Sequence, residues 1–187
     1  NHTAFWKDDS TTTPDPMPEP LFQQGIVKLQ HLEAIGIEKQ RIGDASYALL
    51  AQLKQLKDVR LHYMLSDAGA TPDAPLFINQ LPLPLEVLEI KHNFSIQGGC
   101  MDRLKPQAEL RKLELDTGYA GPDCVPFIKH SSKLENLQIH RTSIDDADLQ
   151  EIFAALPQLE ILLIRPSRQK RLDRRLTRRS LRGIVQC

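Results

Sequence analysis

The stretch LENLQIHRTSIDDADLQEIFAALPQLEIL, residues 134–162, contains the pattern that decides the fold. It opens with the phrase Leu-x-x-Leu-x-Ile at Leu134, and the phrase returns at Leu159. Between the two copies, a pair of aspartates precedes a run whose apolar residues share the i, i+3, i+4 and i+7 spacing of one helical face: Leu149, Ile152, Phe153 and Leu156. Alternating aliphatic residues predict a strand, and the helical spacing predicts an amphipathic helix. The stretch therefore predicts one strand–turn–helix unit.

The phrase occurs six times along the chain, with aliphatic substitutions. Its copies begin at Leu32, Leu56, Leu85, Leu110, Leu134 and Leu159. Successive copies begin 24, 29, 25, 24 and 25 residues apart. A nearly fixed period in the twenties predicts a solenoid, in which each unit buries its apolar face against its neighbours.

The six phrases resemble leucine-rich repeats, whose family pattern is L-x-x-L-x-L-x-x-N/C-x-L. The aspartates and helix after the fifth copy are similar to those of the ribonuclease-inhibitor-like subclass. The resemblance covers Leu29 to Pro166 and implies an α/β fold, a right-handed α/β superhelix of about six repeats with a parallel sheet on its concave face. The ninth position mostly departs from the asparagine or cysteine of the family pattern: this chain has Gln40, Met64, Asn93, Gly118, Thr142 and Ser167. We therefore expect irregular turns.

Composition divides the chain into three predicted segments. They are an extended or flexible lead-in at 1–21, the leucine-rich-repeat solenoid at 22–166 and a basic C-terminal cap or tail at 167–187. Four prolines in residues 7–20 leave the lead-in little apolar surface to bury. For the apolar pair Phe5-Trp6, packing onto the first repeat or onto an upstream domain is favoured over a ligand site.

Whole-chain charge points to neither of two broad classes of function. The 24 basic and 24 acidic residues balance, so the net charge predicts neither a nucleic-acid binder nor an enzyme for acidic substrates. No uninterrupted apolar stretch is long enough to predict a membrane span. Because the chain begins at Asn1, export of a processed mature form stays open and the compartment is unknown.

The cysteines leave three alternatives open. Cys100 and Cys124 both lie ten residues before the next phrase, so they should stack on adjacent units. Two buried thiols are favoured, a disulfide between units is the sharper alternative, and a metal pair is disfavoured because no Cys-x-x-Cys or Cys/His spacing accompanies them.

Residues that alternate with the core positions of each strand should form three rows on the concave side. The first is Glu38, His62, Lys91, Asp116, His140 and Arg165. The second is Gly36, Arg60, Glu89, Glu114, Gln138 and Leu163. The third is Ala34, Asp58, Val87, Lys112, Asn136 and Ile161. Their alternating charges suit a protein partner with mixed polar contacts.

The candidate partner-binding residues come from these rows and from the residues just after them. They are Arg60, His62, Tyr63, Glu89, Lys91, Lys112, Glu114, Asp116, Gln138, His140, Arg141 and Arg165. An Asp116–His140 pair is geometrically available but is predicted to be self-compensating surface charge, because no nucleophile stands beside it. His62 and His92 make only a weak metal pair. We expect no enzyme activity and no cofactor.

From Arg165 onward, nine basic residues face one acidic residue, Asp173. The favoured interpretation is a cap, with Leu172 and Leu176 covering the last repeat where Ile161 and Leu163 would otherwise meet water. The alternative is a contact with nucleic acid or an anionic membrane through Arg174, Arg175, Arg178 and Arg179. Two functions follow as hypotheses: a non-catalytic interaction scaffold that binds a protein through its strand face, or a structural component of a nucleoprotein or membrane-associated assembly anchored by this basic end.

Overall fold

The computed structural model describes residues 3–6, 17–64, 74–91, 101–116 and 120–166. Within these residues the chain is α/β, with one parallel seven-stranded sheet whose strands lie side by side in chain order. The strands are β1 (Thr3–Trp6), β2 (Ala34–Glu38), β3 (Asp58–His62), β4 (Val87–Lys91), β5 (Lys112–Asp116), β6 (Asn136–Thr142) and β7 (Ile161–Pro166). Every pair of neighbours is parallel, so each connection must cross back over the sheet.

Helical segments make these crossings. They are α1 (Glu19–Ile26), α2 (Asp44–Leu50), α3 (Val125–Lys129) and α4 (Asp146–Ala155), with 3-10 helices at Ala74–Gln80, Met101–Arg103 and Pro122–Cys124. The helices pack against one another in the same order as the strands, α1 on α2 and α3 on α4. The apolar core lies between this layer and the sheet.

Equivalent positions of the repeated phrase pair across the sheet. Leu113 lies opposite Leu137, and Leu137 lies opposite Leu162. The core-facing aliphatic residues of β2 to β6 are buried: Ile35, Ile37, Val59, Leu61, Leu88, Ile90, Leu113, Leu115, Leu137 and Ile139. The structure gives the predicted register within the three rows, including His62 opposite Lys91, but the register shifts after His140, where Thr142 pairs with Pro166.

A main-chain contact recurs at the start of each strand. The carbonyl of Glu86 accepts hydrogen bonds from the backbone N–H groups of Arg111, at 2.8 Å, and Lys112, at 3.1 Å. The second residue of four other phrases accepts two such bonds from the next unit: Glu33, Lys57, Arg111 and Glu135. These bonds hold neighbouring strands together through main-chain atoms alone.

The residue at the ninth position of the phrase lies on the core side of the turn that follows the strand. Gln40 accepts a hydrogen bond from the Met17 backbone N–H at 2.9 Å, and the Thr142 hydroxyl donates to the Ala120 carbonyl. Met64, at the same position, is buried. Glutamine and threonine thus bond to the preceding segment at the position where the family pattern has asparagine.

The helix predicted after the fifth phrase is present as α4. Asp145 caps α4, since its carboxylate accepts from the backbone N–H of Ala147 and Asp148. In the fourth unit, the 3-10 turn Pro122–Cys124 continues directly into the short helix α3. Proline is tolerated in the first turn of a helix, where its missing N–H has no intrahelical acceptor.

The two ends of the described sheet differ from its middle. β1 extends the sheet by pairing with β2, and α1 begins at Glu19, before the predicted end of the lead-in. In β7, Leu162 and Ile164 are only partly buried and Ile161 is 49% exposed. The predicted packing of Leu172 and Leu176 on this end lies outside the described residues.

Candidate functional site

The strand face is the side of the sheet opposite the core, formed by outward side chains of β3 to β6. Side chains of a strand alternate between the two faces, so the charged residues of each strand share this side. Nine of the predicted partner-binding residues lie in these strands: Arg60, His62, Glu89, Lys91, Lys112, Glu114, Asp116, Gln138 and His140. Tyr63 directly follows β3, and Arg165 lies in β7. Arg141, which the sequence placed just after the rows, lies within β6.

Glu89 in β4 is the centre of the charged network. Its side chain is 3% exposed, and its carboxylate contacts His62 Nε2 at 2.9 Å, Lys91 Nζ at 3.0 Å and Lys112 Nζ at 2.6 Å. Burial alone would raise the pKa of Glu89, but hydrogen bonds from His62, Lys112 and Lys91 outweigh burial and hold this pKa well below its usual range. Glu89 is therefore ionised at neutral pH although it is buried.

Lys91 links Glu89 to a second carboxylate on the next strand. Its ammonium group lies 2.9 Å from Glu114 Oε2, and Glu114 Oε1 lies 3.1 Å from His140 Nε2. Burial would lower the pKa of Lys91, but hydrogen bonds to Glu114 and Glu89 raise it. One continuous chain of lysine–carboxylate ion pairs and histidine–carboxylate contacts thus crosses four strands, from His62 to His140.

Asp116 has a different partner from the one that the register suggested. Asp116 and His140 are opposite each other in the sheet, but the Asp116 carboxylate binds the Arg141 guanidinium through two hydrogen bonds of 2.7 and 2.6 Å. His140 instead contacts Glu114. A two-bond guanidinium–carboxylate pair is stronger than a single bond from an imidazole, which favours Arg141 as the partner of Asp116.

Arg60 is held in a similar way on the third strand. Its guanidinium donates to both carboxylate oxygens of Asp58, at 2.9 and 2.7 Å, and its Nε lies 3.8 Å from Glu89. The hydrogen bond to Asp58 raises the pKa of Arg60, and the bond to Asp116 raises that of Arg141. Both guanidinium groups are thereby fixed at the rim of the network.

Three residues occupy the same strained position where the strands end. Lys39, Tyr63 and Arg141 have φ angles of 53°, 54° and 53°, in the left-handed region that residues other than glycine adopt at a cost. Tyr63 is 40% exposed. Tyr63 therefore presents its aromatic ring just after β3, and Arg141 presents its guanidinium near the end of β6.

Acids and bases of the strand face lie at different depths. The carboxylates of Glu89, Asp116 and Glu114 are 3%, 4% and 10% exposed. The basic side chains of Arg60, Arg141 and Lys112 are 39%, 36% and 30% exposed. The sequence pattern predicts alternating sign along the face but does not reveal this layering, in which bases lie above acids.

The described residues also bear on metal binding, on membrane spans and on the cysteines. Among them, no three His, Cys, Asp or Glu side chains come together as a metal site, and no helix is long and apolar enough to cross a membrane. Cys124 is a free buried thiol, and burial raises its pKa to about 12. Three predicted features lie outside the described residues: Cys100, His92 and the arginines Arg174, Arg175, Arg178 and Arg179.

Comparison of the chain with protein-family models finds none that matches, and comparison with curated proteins finds no similar sequence.

Proposed function

We propose that this chain is a non-catalytic leucine-rich-repeat scaffold that binds a protein partner through its strand face. The observation that carries the proposal is the network of ion pairs across β3 to β6, which fixes a broad polar surface on a rigid sheet. Side chains fixed before binding lose less entropy when a partner arrives. Arginine and tyrosine, the residue types enriched at binding hot spots, stand at the rim of this surface as Arg60, Arg141 and Tyr63.

The repeat architecture is part of the same proposal. Three observations support a solenoid: sequential parallel strands, pairing of equivalent phrase positions, and helices that pack in chain order. We propose the right-handed superhelix of leucine-rich repeats on this basis. A solenoid offers a long strand surface to a partner without needing a pocket.

Binding is favoured over catalysis by the state of the acids and histidines. Glu89 and Glu114 each accept hydrogen bonds from a lysine as well as a histidine, and Asp116 is engaged on both oxygens by Arg141. A general base needs an acceptor that can reach a substrate proton. Carboxylates that are buried and already bonded are suited to holding bases in place.

Site-specific photo-crosslinking tests the strand face directly. A benzoylphenylalanine at position 63 would report partners on this face, and the same group at the exposed Gln150 of α4 would report the helical side. We expect crosslinked partner proteins from position 63 that are missing from position 150. Identical products from the two positions, or none from position 63, would contradict the proposal.

The second candidate function rests on the sequence of residues 165–187, where nine basic residues face one acidic residue. A nucleoprotein or membrane-associated component anchored there should bind RNA or anionic vesicles with affinity that falls steeply as salt rises. Deleting residues 168–187 should abolish that binding. Binding that survives the deletion would reject this alternative.

A further inference from the structure

On the strand face the basic side chains are more exposed to solvent than the acidic ones, although the two kinds are equal in number in β3 to β6. Arg60 and Lys112 come from different strands, yet both contact Oε1 of Glu89, at 3.8 Å and 2.6 Å, so their charged ends lie side by side. Lys91 contacts the other oxygen of the same carboxylate at 3.0 Å. We call Arg60, Lys91 and Lys112 the basic cluster. Glu89 is 3% exposed and lies behind it.

Because of this arrangement, the positive electrostatic field of the basic cluster acts mainly on groups in contact with it. A ligand in contact with Lys112 is nearer to its ammonium group than to the carboxylate behind it, so attraction dominates at contact. At larger distances the opposite charges cancel. The cluster therefore favours ligands that touch it with discrete negative groups, and offers little to a ligand that is attracted by net charge.

The cluster also has donors left for a ligand among the described contacts. A lysine ammonium has three N–H donors, and Lys112 uses one of them on Glu89. A guanidinium has five, and Arg60 gives two to Asp58. The remaining donors can bind carboxylates in charge-assisted hydrogen bonds, which are stronger than neutral ones.

We propose that the basic cluster of the strand face binds an acidic segment of a partner protein, through the carboxylates of neighbouring Asp or Glu side chains. The inference rests on the proposed function and names the chemistry of its partner. A polypeptide is favoured over nucleic acid because binding of nucleic acid depends mainly on net positive charge and counterion release, and the buried acids cancel the net charge here. The exposed Tyr63 beyond the end of β3 adds an apolar contact of the kind that a peptide uses.

The test uses the full chain and a fluorescent Glu-Ser repeat peptide, with a Gln-Ser repeat of the same length as the uncharged control. Fluorescence anisotropy at physiological salt should show saturable binding of the Glu-Ser peptide only. The double variant Arg60→Gln plus Lys112→Gln should weaken this binding at least about tenfold, because it removes two charged hydrogen bonds. The matched variant Lys57→Gln plus Arg111→Gln removes the same charge from residues outside the strand face, which are 42% and 52% exposed, and should bind as the unaltered chain does.

A second measurement guards against misfolding of the double variant. In the unaltered chain, the Arg60 Nε–H resonance should shift when the Glu-Ser peptide is added, and that of Arg111 should not. Three outcomes would overturn the inference: no binding of the peptide, equal weakening by both double variants, or tighter binding of a single-stranded oligonucleotide with the same number of charges. If position 63 still crosslinks a partner while the peptide does not bind, the strand face binds proteins of another charge class and only this inference fails.

Discussion

Glu89 shows how a single residue organises the strand face. Moving a carboxylate out of water is costly, and the cost is offset only if charged partners and hydrogen bonds replace the lost solvent. Three direct contacts, from His62, Lys91 and Lys112, supply this replacement. Without Glu89 the positive charges of Arg60, Lys91 and Lys112 would repel one another across adjacent strands, so this carboxylate also holds the basic cluster together.

Replacing Glu89 with Gln should lower the free energy of unfolding by about 1–3 kcal/mol at neutral pH, because the neutral amide removes the negative charge and replaces one of the two acceptor oxygens with an NH2 donor. The pKa of Glu89 is lowered in the folded chain from its ordinary value of 4.5. Its contribution is thus present above that pH and is lost as the pH falls through the folded pKa. Urea unfolding should show the difference between Glu89→Gln and the unaltered chain shrinking as the pH is lowered below about 4.5.

Glu86→Gln provides the matched control for this measurement. Its side chain is 48% exposed and lies 3.8 Å from Lys57, an exposed pair of the kind that contributes little. We expect a change within about 0.5 kcal/mol. Equal losses from the two variants, or a Glu89→Gln effect that does not vary with pH, would mean that the charge of Glu89 does not stabilise the fold.

Strands β2 to β7 and helix α4 were predictable because each follows from the spacing of apolar residues, whereas β1 lies in the predicted lead-in and was not predicted. The phrase places the aliphatic pair of every strand on one side, and this periodicity was sufficient to predict that Leu113 and Leu137 pair. The side-chain partners on the other face were not predictable in the same way. Register places Asp116 beside His140, but Arg141 has a left-handed backbone conformation and its guanidinium binds Asp116. No pattern in the sequence specifies the φ angle of an arginine.

Burial of the acids was also missed, although a signal for it exists. Glu89 and Glu114 occupy the middle row of the face, with basic or histidine side chains in the rows on either side. A carboxylate in the middle of a row pattern can be covered by long side chains from both sides, since lysine and arginine lay their aliphatic stems over neighbours. The number of charged residues alone does not tell how deeply their side chains are buried.

At the level of the element, Leu137→Ala in β6 should lower the free energy of unfolding by roughly 2–5 kcal/mol, because Leu137 is fully buried between two strands. Leu162→Ala in β7 changes the equivalent residue of the next strand, which is only partly buried. It should cost about half as much or less, since less apolar surface is lost from the core. Chemical denaturation of both variants measures the difference, and equal losses would show that β7 is as well covered as β6.

Across the whole molecule, contacts join neighbouring strands and helices in chain order. The proposed solenoid would have no single central core, and its stability would be close to a sum of unit and neighbour contributions. A content of 41% hydrophobic residues would then be enough, because the core would be a stripe along the chain. A substitution in one unit should therefore destabilise mainly that unit and its neighbours.

Hydrogen exchange of the Leu137→Ala variant tests this property. In mild denaturant, amide protection should fall in β5, β6 and β7 and persist in β2 and β3, because the effect passes only through shared neighbours. Mass spectrometry of exchanged peptides would locate the loss. A uniform loss along all strands would indicate one cooperative unit and would count against the proposed solenoid.

The paired main-chain bonds to the Glu33, Lys57, Glu86, Arg111 and Glu135 carbonyls have a consequence for how this protein can change. Because the spacing of the strands depends on backbone atoms that every residue type except proline supplies, the outward side chains are free to vary without altering the scaffold that carries them. A combinatorial library at Asp58, Asn136 and Gln138 should consequently yield many folded members with new binding preferences.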